Sequence, residues 1–282
     1  MKTITDILHV SRSHQYTQKG AADMKRRKHK PKAEDAAYLP LIRQIMDKRP
    51  TYGYRRVAAI AKRLLRREGK PAINHKRMYR IMKAHGLLLT RYTGRPSWSH
   101  EGTIMTEQSN QRWCSDIFEV RCDNGERVRV SFSMDCCDRE VMSYVATTGG
   151  ISGDMVRDLM IEAIENRFGS IENIPGPIEW LSDNGPPYTA TDTREMARDL
   201  GLNVCTTPYR SPESNGMAEA FVKTFKRDYV RMHTLADAIA LMQKLPEWFD
   251  DYNENHPHKA LKMKSPREFR RLSLKLEACP VL

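Results

Sequence analysis

The sequence predicts an α/β protein: a mixed β-sheet covered by helices on both faces, preceded by a helical region and followed by a helical tail. Three observations carry that prediction. Three runs rich in β-branched and aromatic residues, "RWCSDIFEVRC", "ERVRVSFSMDCC" and "REVMSYVATT", follow one another along the chain. After them helical and strand-like stretches alternate, giving the order β-β-β-α-β-α-β-α; antiparallel strands followed by α/β crossovers make a mixed sheet rather than a sandwich or a bundle. Before them, apolar residues recur at helical spacing.

The elements follow in order. Residues 11–32, "SRSHQYTQKGAADMKRRKHKPK", are polar and basic without periodicity, so residues 1–32 are expected to form an arm or linker. A helical region is expected over 33–92. Tyr38, Leu41, Ile42, Ile45 and Met46 mark a first helix face that Pro50 ends. Val57, Ile60, Ala61, Leu64 and Leu65 trace a second, broken by Gly69 and Pro71. A third starts after Asn74, a suitable N-cap, buries Met78, Ile81 and Met82, and ends near Gly86. Two short helices joined by a Gly/Pro turn, the later one carrying His75, Lys76, Arg77 and Arg80, have the outline of a helix-turn-helix DNA reader, whose second helix enters a major groove.

Residues 93–109 read as a linker and 110–232 as the α/β core. Asp123-Asn124-Gly125 between the first two strands is a hairpin signal. Val128, Val130, Phe132 and Met134 alternate with Arg127, Arg129, Ser131 and Ser133, which predicts one better-buried sheet face. Ser152 can cap a helix burying Met155, Val156, Leu159, Met160, Ala163 and Ile164, and "PIEWLSDNG" supplies a further short strand. Residues 233–282 form the expected helical extension.

Charge bounds the function. The 282 residues carry 47 Lys and Arg against 35 Asp and Glu, and the surplus is uneven. Residues 1–100 hold 25 basic and 6 acidic side chains, the remainder 22 and 29. A strongly positive first part attracts phosphate polymers, and with no run of about 18 apolar residues to span a bilayer, nucleic acid is the expected partner and a membrane is not. The start "MKTITDILHVSRSHQ" lacks an apolar signal region, so the chain is expected to stay in the cytoplasm. The six cysteines (114, 122, 136, 137, 205, 279) show no C-x-x-C pair or zinc spacing and read as reduced, mostly buried thiols.

Three carboxylates stand out. Asp116 lies in the middle of the first strand, costly for a charge unless a cation compensates it or the strand is an edge. Asp183 closes the later strand just before Asn184-Gly185, where α/β sheets hold ligands, although it could equally be a turn-former. Glu219 shares a helix face with Lys223 and Lys226, about 40° and about 20° away at 100° per residue. A Glu and Lys four apart are commonly a surface pair, so by itself this spacing leaves Glu219 open between ion pair and ligand. Met217, Phe221 and Phe225 give that helix its core stripe.

Taken together, "WCSDIFEV", "WLSDNGPPY" and "YRSPESNGMAEAFVKTFKRDYV", with 35 residues between Asp183 and Glu219, resemble the three acidic motifs of the DDE transposase and retroviral integrase superfamily. The flanks "TYGYRRV…INHKRMYRIMKAHGLL" and "DYNENHPHKALKMKSPREF" are similar to those of bacterial insertion-sequence transposases of the downstream-frame (OrfB) type, so the resemblance covers about residues 50–270. It implies an RNase H-like catalytic core with Asp116, Asp183 and Glu219 as ligands of two Mg²⁺ or Mn²⁺ ions, which suit hard carboxylate oxygens. It implies a DNA transposase that binds terminal inverted repeats, cuts one strand and transfers the 3′-hydroxyl to DNA, through a circular intermediate and with at least a dimer joining two ends, on the bacterial nucleoid. Lys223 and Lys226 are then expected to hold the terminal DNA. Tyr54, Arg55, Arg56, His75, Lys76, Arg77, Arg80, Tyr209 and Asn215 are expected to contact DNA, and Asn184, Pro212, Ser214 and Gly216 to support the motif loops. The zinc module of retroviral integrases has no counterpart here. The segment "ILHVSRSHQY" resembles the tail of another helix-turn-helix, as in a chain fused to an upstream-frame product. His256 and His258 read as loop packing or DNA contact. Two other readings stay open: a catalytically silent DNA-binding regulator of transposition, and a general nuclease of the same fold.

Overall fold

The computed structural model describes residues 33–90, 106–206 and 216–277. The basic arm, most of the linker, the loop carrying Tyr209, Pro212, Ser214 and Asn215, and Cys279 lie outside the described residues. Contacts divide the chain into two units, Met1–Pro40 and Leu41–Leu282.

Helices come first: α1 (Leu39–Lys48), α2 (Tyr54–Arg67) and α3 (His75–Ala84). Their buried sides are Ile42 and Ile45 on α1, Val57, Ala58, Ala61 and Leu65 on α2, and Met78, Ile81 and Met82 on α3. Ala58 joins the buried face, whereas Ile60 and Leu64, expected there, are half-buried. The Lys76 amide donates to Asn74 Oδ1 at 2.9 Å, the expected cap, and Gly69 and Gly86 end α2 and α3 with φ of 68° and 66°.

The sheet comprises β1 (Arg112–Arg121), β2 (Arg127–Asp135), β3 (Val141–Thr147), β4 (Ile178–Ser182) and β5 (Leu202–Thr206), in the order β3-β2-β1-β4-β5. The first three pair antiparallel, and β4 and β5 run parallel to β1. This is the mixed, RNase H-like arrangement. Because β1 is central, the edge-strand explanation for Asp116 falls away. Gly125, at φ 90°, turns the β1–β2 hairpin.

Both faces are covered. On one lie α4 (Gly153–Phe168), the single turn α5 (Pro186–Thr189) and α6 (Thr191–Asp199), enclosing Trp113, Trp180, Leu159, Ile164 and Leu202. On the other, α7 (Gly216–Asp228) and α8 (Ala238–Asn255) cover Cys114, Phe118, Val130 and Phe132 with Phe221, Phe225, Trp248 and Phe249. Helix α9 (Pro266–Glu277) follows. The expectation of one better-buried face on β2 is corrected here: Ser131 and Ser133 are fully buried as well. Their hydroxyls are satisfied by Tyr188 Oη at 2.9 Å and Ser143 Oγ at 2.8 Å, which lets polar side chains face a helix layer without cost.

Two polar devices fix the layers. Arg167, at the end of α4, is buried and binds Asp138 and Glu140 at 2.5 and 2.7 Å. Arg267 and Arg270 of α9 reach the same Glu140, both at 3.0 Å. On edge strand β3, the backbone of Val141 donates to and accepts from the buried Asn253 amide of α8, at 2.9 and 2.8 Å. A side chain thus completes the ladder at the strand's start.

Candidate active site

Strands β1 and β4 pair only from Arg112 to Cys114 against Glu179 to Leu181, with Cys114 beside Leu181. Continuing that register by two residues aligns Asp116 with Asp183, just beyond the end of β4, where the two strands part. Neighbouring strands stand about 4.8 Å apart, so register alone brings these carboxylates to one level. Alternation sets Asp116 on the side of Cys114 and Phe118, the side covered by α7. Glu219 stands in the first turn of α7.

Electrostatics ties the three together. The Asp116 carboxyl is half-buried and pushed up to about 6, by burial first; a hydrogen bond from the Ile117 amide, 2.8 Å long, opposes the shift, and the negative charges of Asp183 and Glu219 add to it. Lys226 pulls the other way, and its ammonium lies 5.7 Å from the Phe118 ring centre, two residues along the same strand face. Asp183 is exposed and accepts the Gly185 amide at 3.0 Å, a turn that fixes its carboxylate. Glu219 meets Lys223 at 3.2 Å in an exposed pair.

A hard divalent cation fits this donor chemistry: three oxygen ligands, one desolvated and repelled by the other two. In the conformation described, Glu219 is turned to Lys223, and among the described residues no three His, Cys, Asp or Glu side chains form a ready chelate.

Tyr188 was not singled out by its sequence and is central here. Its buried hydroxyl bonds Ser115 Oγ at 2.7 Å and Ser131 Oγ at 2.9 Å, pinning the loop after Asp183 to the sheet. The signal was the aromatic after two prolines in "DNGPPY". Asn184 is exposed beside Asp183 and has a partner of its own, and Gly216 opens α7 in open space.

Of the residues expected to meet DNA, Arg55, His75, Lys76 and Arg80 are exposed, and Tyr54 and Arg77 are half-buried. The Tyr54 ring contacts Tyr79 edge-on at 5.1 Å, and Arg55 Nε donates to Tyr54 Oη at 3.1 Å. Arg56 is committed inward, reaching Asp228 at the end of α7 at 3.3 Å and lying over the Tyr52 ring. Around it Arg49 pairs with Asp251, and Tyr52 Oη shares a 2.9 Å hydrogen bond with His256 Nδ1. His256 is fully buried, so its place is packing against the helical region.

A carboxylate in the middle of the central strand, in register with a second just past the end of its parallel neighbour, a third on the covering helix and a basic helix pair ahead of them are the arrangement expected of a DNA-recombining enzyme of the integrase type. The family model for the integrase core domain matches residues 106–212, a second integrase core model matches 200–266, and an HTH-like domain matches 32–95. Transposase InsD for insertion element IS2A/D/F/H/I/K of Escherichia coli is 50% identical over 241 residues, covering 84% of this chain and 79% of the relative. The chain belongs to this family of insertion-element transposases with an integrase catalytic core. Among solved structures, a simian T-cell lymphotropic virus intasome has a TM-score of 0.48 at 17% identity, covering 74% of this chain and 70% of that one. The catalytic domain of the Mos1 mariner transposase has a TM-score of 0.43 at 16% identity, covering 59% and 77%. Among the described residues no helix is long and apolar enough to cross a membrane.

Proposed function

We propose that this transposase binds the terminal inverted repeats of its insertion sequence, hydrolyses one strand at each end and joins the freed 3′-hydroxyl to DNA. The observation that carries this reading is the Asp116 carboxyl, desolvated on a central strand and loaded with the charges of Asp183 and Glu219. A regulator has no use for such repulsion facing an anionic polymer, whereas a cation site needs it.

In this reading Asp116, Asp183 and Glu219 would together hold two Mg²⁺ or Mn²⁺ ions, with Asp116 contributing to both and Asp183 and Glu219 to one each. Bound there, such ions activate the attacking oxygen and stabilise the leaving one. The chain's own residues position. Gly185 and Tyr188 hold Asp183 at the strand end, and Lys226, beside Phe118, offers its charge to the terminal phosphates. Lys223 neutralises Glu219 until the site is loaded, then turns to DNA. In the cut, water oxygen bonds phosphorus and the 3′-oxygen leaves as a hydroxyl. In the joining step that hydroxyl attacks a second phosphodiester and releases another 3′-hydroxyl, so phosphodiester bonds are conserved and no protein nucleophile or external energy source enters. Two ends require at least a dimer of the chain, acting on the nucleoid in the bacterial cytoplasm, alone or with an upstream-frame product.

The test is cleavage and joining of the element's own ends with Mg²⁺. Asp116→Asn, Asp183→Asn and Glu219→Gln should each abolish both steps while end binding stays within about twofold, since no base or phosphate contact is removed. Near-normal activity in any one removes that residue from the site. The alternative of a silent regulator draws on the closed Glu219–Lys223 pair; wild-type chain that binds ends and never cuts them would establish it.

A further inference from the structure

Helix α2, the start of α3 and a turn some 200 residues later enclose a cleft of about 360 Å³, lined by Arg55, Ala58, Ala59, Lys62, His75 and Met263 among others. Its make-up is specific. Arg55, Ala58, Ala59 and Lys62 follow the spacing of one helix face, so two cations flank a floor of methyl groups. His75 adds a third polar side chain to the rim.

The neighbouring cations are spoken for: Arg56 pairs with Asp228, Arg63 with Glu268, and Lys70 with Glu68. Arg55, Lys62, Lys259 and Lys262 are exposed, and among the described residues none of them has a carboxylate partner. Arg55 and Lys62 on the lining of the cleft, with Lys259 and Lys262 on the turn that contributes Met263 to it, make a local excess of positive charge that attracts an anion.

The far wall is strained. Lys262 and Met263 both take the left-handed backbone region, with φ of 54° and 64°, which neither residue favours. Three backbone bonds hold the turn: Lys262 to Lys259 at 3.2 Å, Met263 to His258 at 2.7 Å and Lys264 to Leu261 at 3.0 Å, amide to carbonyl in each case. Arg63 fastens it to α2, donating to the Asn255 carbonyl at 2.9 Å and the Met263 carbonyl at 3.3 Å. An over-determined, disfavoured turn beside a cationic cleft has the marks of a ligand clamp rather than a connection.

The geometry points to a composite phosphate site, in which the Lys259–Lys264 turn joins α2 in gripping the phosphodiester backbone of duplex DNA next to the groove that α3 enters. This rests on the DNA-binding part of the proposed function and extends it to a segment outside the helix pair. The ligand is the backbone, so the grip is independent of sequence, and base selection stays with α3.

The test uses the full chain with an end duplex and a scrambled duplex of equal length, titrated across a salt series. Lys62→Gln and Lys262→Gln should each weaken both duplexes several-fold and by the same factor, lowering the slope of log affinity against log salt by about one. Arg121→Gln, an exposed cation at the end of β1, should leave slope and affinity unchanged. Met263→Gly, which relaxes the strain without altering charge, should weaken both duplexes as well. Three results overturn the proposal: an unchanged slope in the lysine variants, an equal loss in Arg121→Gln, or a loss confined to the end duplex. If wild-type chain binds neither duplex, the broader reading fails instead. Melting temperatures of the Lys62, Lys262 and Arg121 variants should match the parent, so a change in their affinity reports contact.

Discussion

Single atoms decide the candidate site. A Cβ at position 185 would lie 2.9 Å from Asp183 Oδ1, so Gly185→Ala should displace that carboxylate and cut strand cleavage by at least tenfold, with a small change in melting temperature; steady-state cleavage beside a thermal melt checks both halves. The buried histidines give a second outcome. Burial holds His256 well below the usual histidine range and His258 at about 3, and the surrounding Arg49, Arg56, Arg139 and Arg227 add to this. Both are neutral when folded and titrate near 6.5 when unfolded, so the unfolded chain takes up protons first. Stability present above pH 6.5 should therefore be lost as pH falls from there towards 3, at up to about 1.4 kcal/mol per pH unit for each histidine. Denaturant titrations across that window should show the slope, and His258→Phe should roughly halve it.

At the scale of elements, polar side chains do the joining. Asn253→Ala would leave the Val141 amide and carbonyl unpaired inside the protein, which costs about 1–3 kcal/mol for each. Arg167→Met would strand Asp135 and Asp138 and leave Glu140 to Arg267 and Arg270 alone, and losing one partner of a buried ionic cluster costs about 3–5 kcal/mol. Chemical denaturation should rank Arg167→Met as the more damaging of the two. These joints also show what sequence reasoning could reach. Helix caps at Asn74 and Ser152, the Asn124-Gly125 turn and the apolar faces of α4 and α7 were legible because they are local, set by period and by residues three or four apart. By sequence Arg167 is an ordinary last-turn cation on α4, and only the tertiary fold brings it to Asp135 at the end of β2 and to Asp138 and Glu140 in the β2–β3 connection. Asp116 drew notice as a charge in a strand; that the strand is central, and in register with Asp183, depends on pairing that no local pattern encodes.

At the scale of the whole molecule, the helical region and the core are joined more closely than the charge division suggested. Leu41–Leu282 is one compact unit in which the connection between α1 and α2, and α2 itself, meet the ends of α7 and α8 through Arg49–Asp251, Arg56–Asp228 and Tyr52–His256. The boundary between a basic part and an acidic part was visible in composition; the ionic seam across it was not, because each partner is an unremarkable surface charge in isolation. Replacing Arg49 and Arg56 together with Ala should loosen this seam, and proteolysis at low protease concentration should then release a fragment containing residues 110–277 that the parent resists. Equal protection of both proteins would show that apolar contacts alone hold the helices.

One face of the sheet is roofed by α7 and α8, whose Phe221, Phe225, Trp248 and Phe249 arrive long after β1 is made. During synthesis the strands therefore leave the ribosome with that apolar surface bare, and it stays bare until roughly the 250th residue has emerged. A message cut short after the first integrase core match would yield a sticky polypeptide destined for chaperones or proteases, so premature termination should silence such an element through turnover of its product before any question of chemistry arises.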